Sequence, residues 1–417
     1  MPFFALSLVV ALAPLQESAV VLRGAHVLVP EASAWREGDV RLAAGKIELV
    51  AREGQAGEGD ELDLRGLYLV PGLIDLHTHL LLHPYDETPW DEQVLKESLE
   101  LRTIRAVVQA KATLEAGFTT VRELGTEGAG FADVALRDAI ARELVPGPRI
   151  FTATRAIVAT GCYGPAGFDP RWDVPKGAQE ADGVDGVRVA VRQQVAAGAD
   201  WIKFYADYRR AAGAAATPTF SLEEMSALVA EATSAGKPVA AHATTDEGAR
   251  RATLAGVKTI EHGTELSEAT LKLMKEHGVV LVPTLAASEA VARYAGWNGA
   301  DPAPEGVQLG LATLKKAHAL GVLIACGSDA GVFRHGDNAR ELELLAAALA
   351  SPALALRAAT LDAARVLARD DLGRIAAGCV GDLVALDGDP LADTRALRRI
   401  VLVVQAGRVV LDARSKR

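Results

Sequence analysis

His77 and His79 stand two residues apart at the end of an apolar run, Gly72-Leu73-Ile74-Asp75-Leu76-His77-Thr78-His79. Residues two apart on a strand point to the same side, so this pair can grip one metal ion. Lys203 lies inside a second apolar run, Trp201-Ile202-Lys203-Phe204-Tyr205. A lysine buried in a strand is costly unless paired. One reading is a salt bridge to Asp207 or a strand-end lysine that reaches water. The other is a carbamate, formed by carbon dioxide on the ε-amine, which bridges two divalent ions. His242 follows Val239-Ala240-Ala241, His262 follows Thr259-Ile260-Glu261, and Asp329 sits in Gly327-Ser328-Asp329-Ala330-Gly331. Each alone reads as a core histidine or a helix cap. Together they are the imidazole and carboxylate donors of a divalent metal centre, and their company favours the carbamate at Lys203.

These residues need a scaffold that brings strand ends together. Apolar runs of strand length cover residues 73–79, 119–124, 149–154, 201–206, 239–244, 259–263, 279–285 and 323–329. Helical patterns between them include 93–116, 186–197, 221–235 and 304–320. Such alternation builds right-handed parallel βαβ units. Eight repeats predict an α/β fold, a closed (β/α)8 TIM barrel over residues 71–370, with a doubly wound open sheet as the alternative. Barrel enzymes place their chemistry at the C-terminal ends of the strands, where all six candidate ligands fall. Ser221 and Glu224 form a capping box, and Gly117 and Gly236 mark helix stops. The chain ends, 19–70 and 371–417, carry short strands and turns, and predict a composite β-sandwich domain, because strands need partners.

The chain has 417 residues, with 44 Lys plus Arg against 54 Asp plus Glu, a net charge of −10. Half of it is hydrophobic, which excludes a disordered chain. The negative balance speaks against a nucleic-acid partner. Cys162, Cys326 and Cys379 are too few and too scattered for a disulfide framework or a cysteine zinc site. Residues 1–18 include an uncharged apolar run and a small-x-small pattern at Ala11-Leu12-Ala13. They resemble a secretory signal peptide, so export is expected, with a cytoplasmic location as the alternative. No stretch reaches the ~18 apolar residues of a membrane span. Metalloprotease, P-loop, dinucleotide and nucleophile-elbow motifs are missing.

Taken together, the motifs resemble the amidohydrolase superfamily. Within it they are most similar to the imidazolonepropionase-related and prolidase-like (Xaa-Pro dipeptidase-like) binuclear metal hydrolases. The resemblance runs past residue 19, and residues 373–391 resemble the group's returning β-sandwich. It implies two divalent ions, zinc in the first instance, with manganese and cobalt suited to similar ligands. His77, His79 and Asp329 would hold the more buried ion and His242 and His262 the second. A carboxylated lysine at Lys203 and a hydroxide would bridge them, with Asp329 as proton shuttle. The implied reaction is hydrolysis of an amide bond in a small-molecule substrate, a dipeptide or N-acyl amino acid. A cyclic amide, imidazolone or lactam hydrolase is the alternative, and a metal-free scaffold or binding protein the non-enzymatic one. Arg122, Tyr205 and His335 are candidates to bind a substrate carboxylate or carbonyl, each with a structural alternative. Tyr163, in Gly161-Cys162-Tyr163-Gly164, stands where prolidase-like relatives carry a Gly-Gly-His-Gly histidine. A phenol does not titrate near neutrality, so N-acyl, lactam and ester substrates stay open, as does a homo-oligomer.

Overall fold

The computed structural model describes residues 19–416, apart from 30, 170, 212 and 301. The signal-peptide expectation lies outside the described residues. Among them no helix is long and apolar enough to cross a membrane.

Parallel strands form the centre of the molecule. Leu73–Thr78 pairs with Phe118–Glu123, which pairs with Arg149–Thr152. Asp200 and Trp201 donate to the Thr152 carbonyl, joining the third strand to Ile202–Tyr205. Val239–Ala243, Thr259–His262 and Val280–Val282 follow in parallel register. The ring then closes. Leu281 donates to Leu323, Leu76 to Cys326, and Asp329 to His77. The fold is α/β, of the TIM-barrel type.

The eighth member of the ring differs from the expected strand at 323–329. It makes isolated bridges only, at Ile324 and Ala330. Two residues break its regularity. Gly327 passes so close to the first and seventh strands that a Cβ there would lie 2.3 Å from Val282 and 2.8 Å from His77. Asp329 has φ +63°, a conformation that costs a non-glycine residue about 1–3 kcal/mol. Side chains replace the missing ladder. The buried Asp75 carboxylate accepts from Ser328 N–H at 2.9 Å, Ser328 Oγ at 2.5 Å and Asn338 Nδ2 at 2.8 Å. It also accepts from His77 N–H at 3.1 Å, so one carboxylate sets the first strand against the eighth segment.

Helices cover the ring. Leu222–Ser234 begins with the expected Ser221–Glu224 capping box. The pattern at 93–116 is two helices, Trp90–Lys96 and Leu99–Glu115. Glu97 is extended, and Ser98 starts the second helix by accepting from Leu101 N–H. The run 279–285 ends as a strand at Val282, since Pro283 has no N–H to donate and Thr284 is left-handed at φ +49°. Leu285–Tyr294 is instead a helix.

Both chain ends join in one eight-stranded sheet. Val20–Val29, Ala34–Ala43, Lys46–Ala51 and Tyr68–Pro71 meet Leu383–Leu386, Ile400–Gln405 and Arg408–Asp412 in a continuous hydrogen-bonded path, and Asp60–Asp63 pairs with Val20–Val29 beside it. The sheet curls enough for Lys46 to bridge Val380, enclosing Val40, Ile47, Leu69 and Leu402. Gly72 N–H donates to Asp382 O, and Asp382 pairs with Arg149 at 2.7 Å, so the sheet is bolted to the base of the barrel.

Candidate metal centre

The strand ends bring the predicted donors together on one rim. The donor atoms of His77, His262 and Asp329 all lie within 4.8 Å of one another. His79 Nε2 is 3.3 Å from Asp329 Oδ1, and His77 Nε2 is 3.7 Å from the same oxygen. The His242 ring centroid is 4.5 Å from that of His262, which is 5.1 Å from that of His77. His262 is left-handed at φ +69°, like Asp329. Strain of this kind persists where the surroundings fix it, and it clusters at working sites. Lys203 is 1% exposed, with Nζ 5.5 Å from the Tyr205 ring centroid.

Three of the four imidazoles are aimed by a bond on Nδ1. His77 Nδ1 meets Glu261 Oε2 at 2.9 Å, His79 Nδ1 donates to Gly125 O at 2.8 Å, and His262 Nδ1 meets Thr284 Oγ1 at 2.7 Å. These contacts leave Nε2 of all three for the centre. His242 is turned the other way: its Nε2 faces Asp207 Oδ1 at 3.8 Å, leaving Nδ1 free. Such outer partners fix ring orientation and tautomer in metal sites. Burial, with the neighbouring cationic groups, holds His77 and His242 well below the ordinary imidazole value. His262 is lowered to about 4, first by burial. Neutral imidazoles are what a metal requires. At His79 burial is outweighed by the Asp329, Glu127 and Glu123 carboxylates, which raise it to about 9. That negative surrounding favours a cation at this spot. Burial lowers the Lys203 ammonium to about 8. Donor types, convergence and field all fit a divalent ion.

Lys203 does not pair with Asp207 among the described residues. The Asp207 carboxylate is committed to the N–H and Oγ1 groups of Thr244 and Thr245, at 2.7–3.0 Å.

Arg122 stands apart from its expected role. It is fully buried beneath the rim. Its guanidinium donates to Leu76 O at 2.6 Å, Thr259 Oγ1 at 3.2 Å and Glu261 Oε1 at 2.8 Å. It also lies 4.3 Å from the Trp201 ring centroid. Arg122 therefore braces Glu261, which aims His77, and is not placed to meet substrate. His335 is likewise buried, its Nε2 3.0 Å from Leu82 O, and burial lowers it to about 4. Tyr205 stacks on His242 at 4.4 Å and 19°, a shelf for that ligand. Tyr163 packs on Tyr205 at 4.4 Å and donates to Glu127.

Residues 68–410 match the family model for the Amidohydrolase family. The chain belongs to the amidohydrolase family. This amidohydrolase, a hydrolase of carbon–nitrogen bonds, is similar to a solved Xaa-Pro dipeptidase with methionine bound in its active site. The identity is 31%, over 94% of this chain and 100% of that one, with a TM-score of 0.84. A putative prolidase from Bifidobacterium longum is 29% identical over 95% of each chain, TM-score 0.78. Ochratoxinase from Aspergillus niger is 29% identical over 78% of this chain and 72% of its own.

A cavity of about 620 Å³ opens at the candidate ligands of this amidohydrolase, with His242, His262 and Asp329 among its lining. The helix Leu285–Tyr294 lines it through Ala287, Ser288 and Val291, and the hairpin Asp207–Arg209/Ala216–Pro218 through Tyr208 and Arg209. A second cavity, of about 660 Å³, lies behind that helix; ion-paired Arg293, Arg340 and Arg398 line it, and it reaches none of the ligands. Sequence reasoning missed Glu261, Thr284, Glu127 and the cavity wall. Glu261 precedes His262, and its alternation to the opposite face was the available signal. Glu127 and Arg209 have none outside three dimensions.

Proposed function

We propose that the protein is a metal-dependent hydrolase that cleaves the amide bond of a small N-acyl amino acid or dipeptide. The observation that carries this reading is the convergence of His77, His79, His242, His262 and Asp329 beneath an open, largely apolar cavity. The names of the similar proteins, a Xaa-Pro dipeptidase and an ochratoxinase, support it. His77, His79 and Asp329 would hold one ion and His242 and His262 the second, and Lys203, as a carboxylated lysine, would serve both. When bound, the ions, zinc in this reading, supply an activated water and polarise the scissile carbonyl.

The chain's own residues do the rest. Burial keeps His77, His242 and His262 neutral, so their lone pairs are available. Asp329, at the cavity floor, accepts the proton of the attacking water and delivers it to the leaving nitrogen. Residues 71–370 form the catalytic barrel, and 19–70 with 371–417 form the supporting β-sandwich domain.

The test is elemental analysis of the purified protein, with an amide library assayed in zinc and bicarbonate. About two divalent ions per chain are expected, as in two-metal sites, with turnover of N-acyl amino acids or dipeptides. Less than one ion, or turnover confined to lactams and cyclic imides, refutes the reading.

A further inference from the structure

The cavity is chemically lopsided. Above His242, His262 and Asp329 it has an apolar side, built from Ala287, Val291 and Ala292 of the helix Leu285–Tyr294 and from Val307. Arg209, an exposed residue of the hairpin Asp207–Arg209/Ala216–Pro218, also lines it. Among the described residues that line the cavity, Arg209 is the one with a permanent positive charge, and Asp329 the one carboxylate. Arg209 has no acidic partner among the described residues. Its guanidinium carbon lies 5.6 Å from the Tyr208 ring centroid, and Tyr208 packs edge-on to His242 at 5.8 Å. The cation thus lies two ring contacts from a candidate ligand. Arginine pairs bidentately with carboxylates, and its planar fork is pre-organised for that pairing.

We infer that Arg209 is a specificity residue that receives the free carboxylate of an N-acyl amino acid. The amino acid's apolar side chain lies against the helix Leu285–Tyr294. The same asymmetry selects between the two substrates proposed above. A free dipeptide brings an ammonium that needs a counter-charge, and the described lining offers none beyond Asp329. A neutral acyl group needs none, so the site takes N-acyl amino acids over free dipeptides. This inference rests on the hydrolase reading for the name of the ligand, but its test does not require turnover.

The experiment is calorimetric binding to the zinc-loaded full chain. The probes are N-tosyl-L-leucine, whose sulfonamide is not an amide substrate, and its carboxamide. The acid should bind about tenfold or more tightly than the carboxamide, the range of a charge-assisted hydrogen bond. Arg209→Gln should erase that difference, and Arg209→Lys should restore part of it. Equal binding of acid and carboxamide by the wild type overturns the inference. So does a preference that survives Arg209→Gln, because the carboxylate is then held at the metals. Binding as expected in a protein that hydrolyses no amide would sink the hydrolase reading alone.

Discussion

Glu261→Gln isolates how the first histidine is aimed. Glu261 is fully buried and split between two duties. Oε2 meets His77 Nδ1 at 2.9 Å, and Oε1 accepts from Arg122 Nη2 at 2.8 Å and from Thr259 Oγ1. Glutamine has the same shape, but one oxygen becomes an NH2. If that group faces His77, Nδ1 must accept, the ring proton moves to Nε2, and the ligating lone pair is lost. If it faces Arg122, two donors oppose each other and a buried guanidinium loses its counter-charge. Losing a hydrogen bond to a charged group costs about 1.5–3 kcal/mol. Outer partners of metal ligands are worth about 10–100-fold in metal affinity, or about 1.4–2.7 kcal/mol. We expect zinc affinity, measured by competition with a chromophoric chelator, to fall by that factor. The double variant Arg122→Met/Glu261→Gln removes the stranded charge, so it should recover apo-protein melting temperature but not zinc affinity. Zinc binding within twofold of wild type in a folded Glu261→Gln protein would refute the aiming role.

Lys203→Ala should lower metal content and turnover together; full activity with two bound ions would exclude the carbamate. Asp329→Asn should keep the fold by circular dichroism and lower kcat about 10²–10⁴-fold, the span of general acid–base catalysis; near wild-type rates would move the proton shuttle elsewhere. Glu341 is buried, accepts from Ala286 N–H at 2.7 Å, and is raised by burial from 4.5 to about 8. The folded chain therefore keeps a proton that the unfolded chain releases, so this residue's contribution to stability falls as pH rises from about 4.5 to about 8. Glu341→Gln should flatten that part of the melting-temperature profile; identical slopes for variant and wild type would place the titration elsewhere.

The sequence made the barrel legible because its strands are apolar until their ends, and several of those ends carry the candidate ligands. His77, His79, Lys203, His242, His262 and Asp329 could all be named because period-2 strands and the C-terminal rim rule fix their side. The rim did not sort Arg122 and His335. A long cation at a strand end reads as accessible until the depth of Glu261 is known, and a loop histidine reads as exposed until Leu82 is found beside it. The helix at 285–294 was hidden by an apolar run that continues past Pro283. The eighth segment was apolar enough to read as a strand, yet Gly327 and Asp329 deny it a ladder. Arg209 illustrates the deepest limit: a hairpin arginine acquires meaning only from the helix across the cavity.

The Asp75 joint also sets an order of assembly. Its partners Ser328 and Asn338 lie 253 and 263 residues further along the chain. Contacts so remote in sequence form late, since the loop they close must first lose its freedom. During synthesis four histidines and Lys203 emerge long before Asp329, the carboxylate whose donor atom lies within 4.8 Å of those of His77 and His262. A chain cut short before residue 329 would therefore carry most of the candidate donors without the segment that closes the ring. In the proposed reading, the segment that closes the ring also carries the last candidate ligand, Asp329, so damage there should be felt as lost chemistry as well as lost shape.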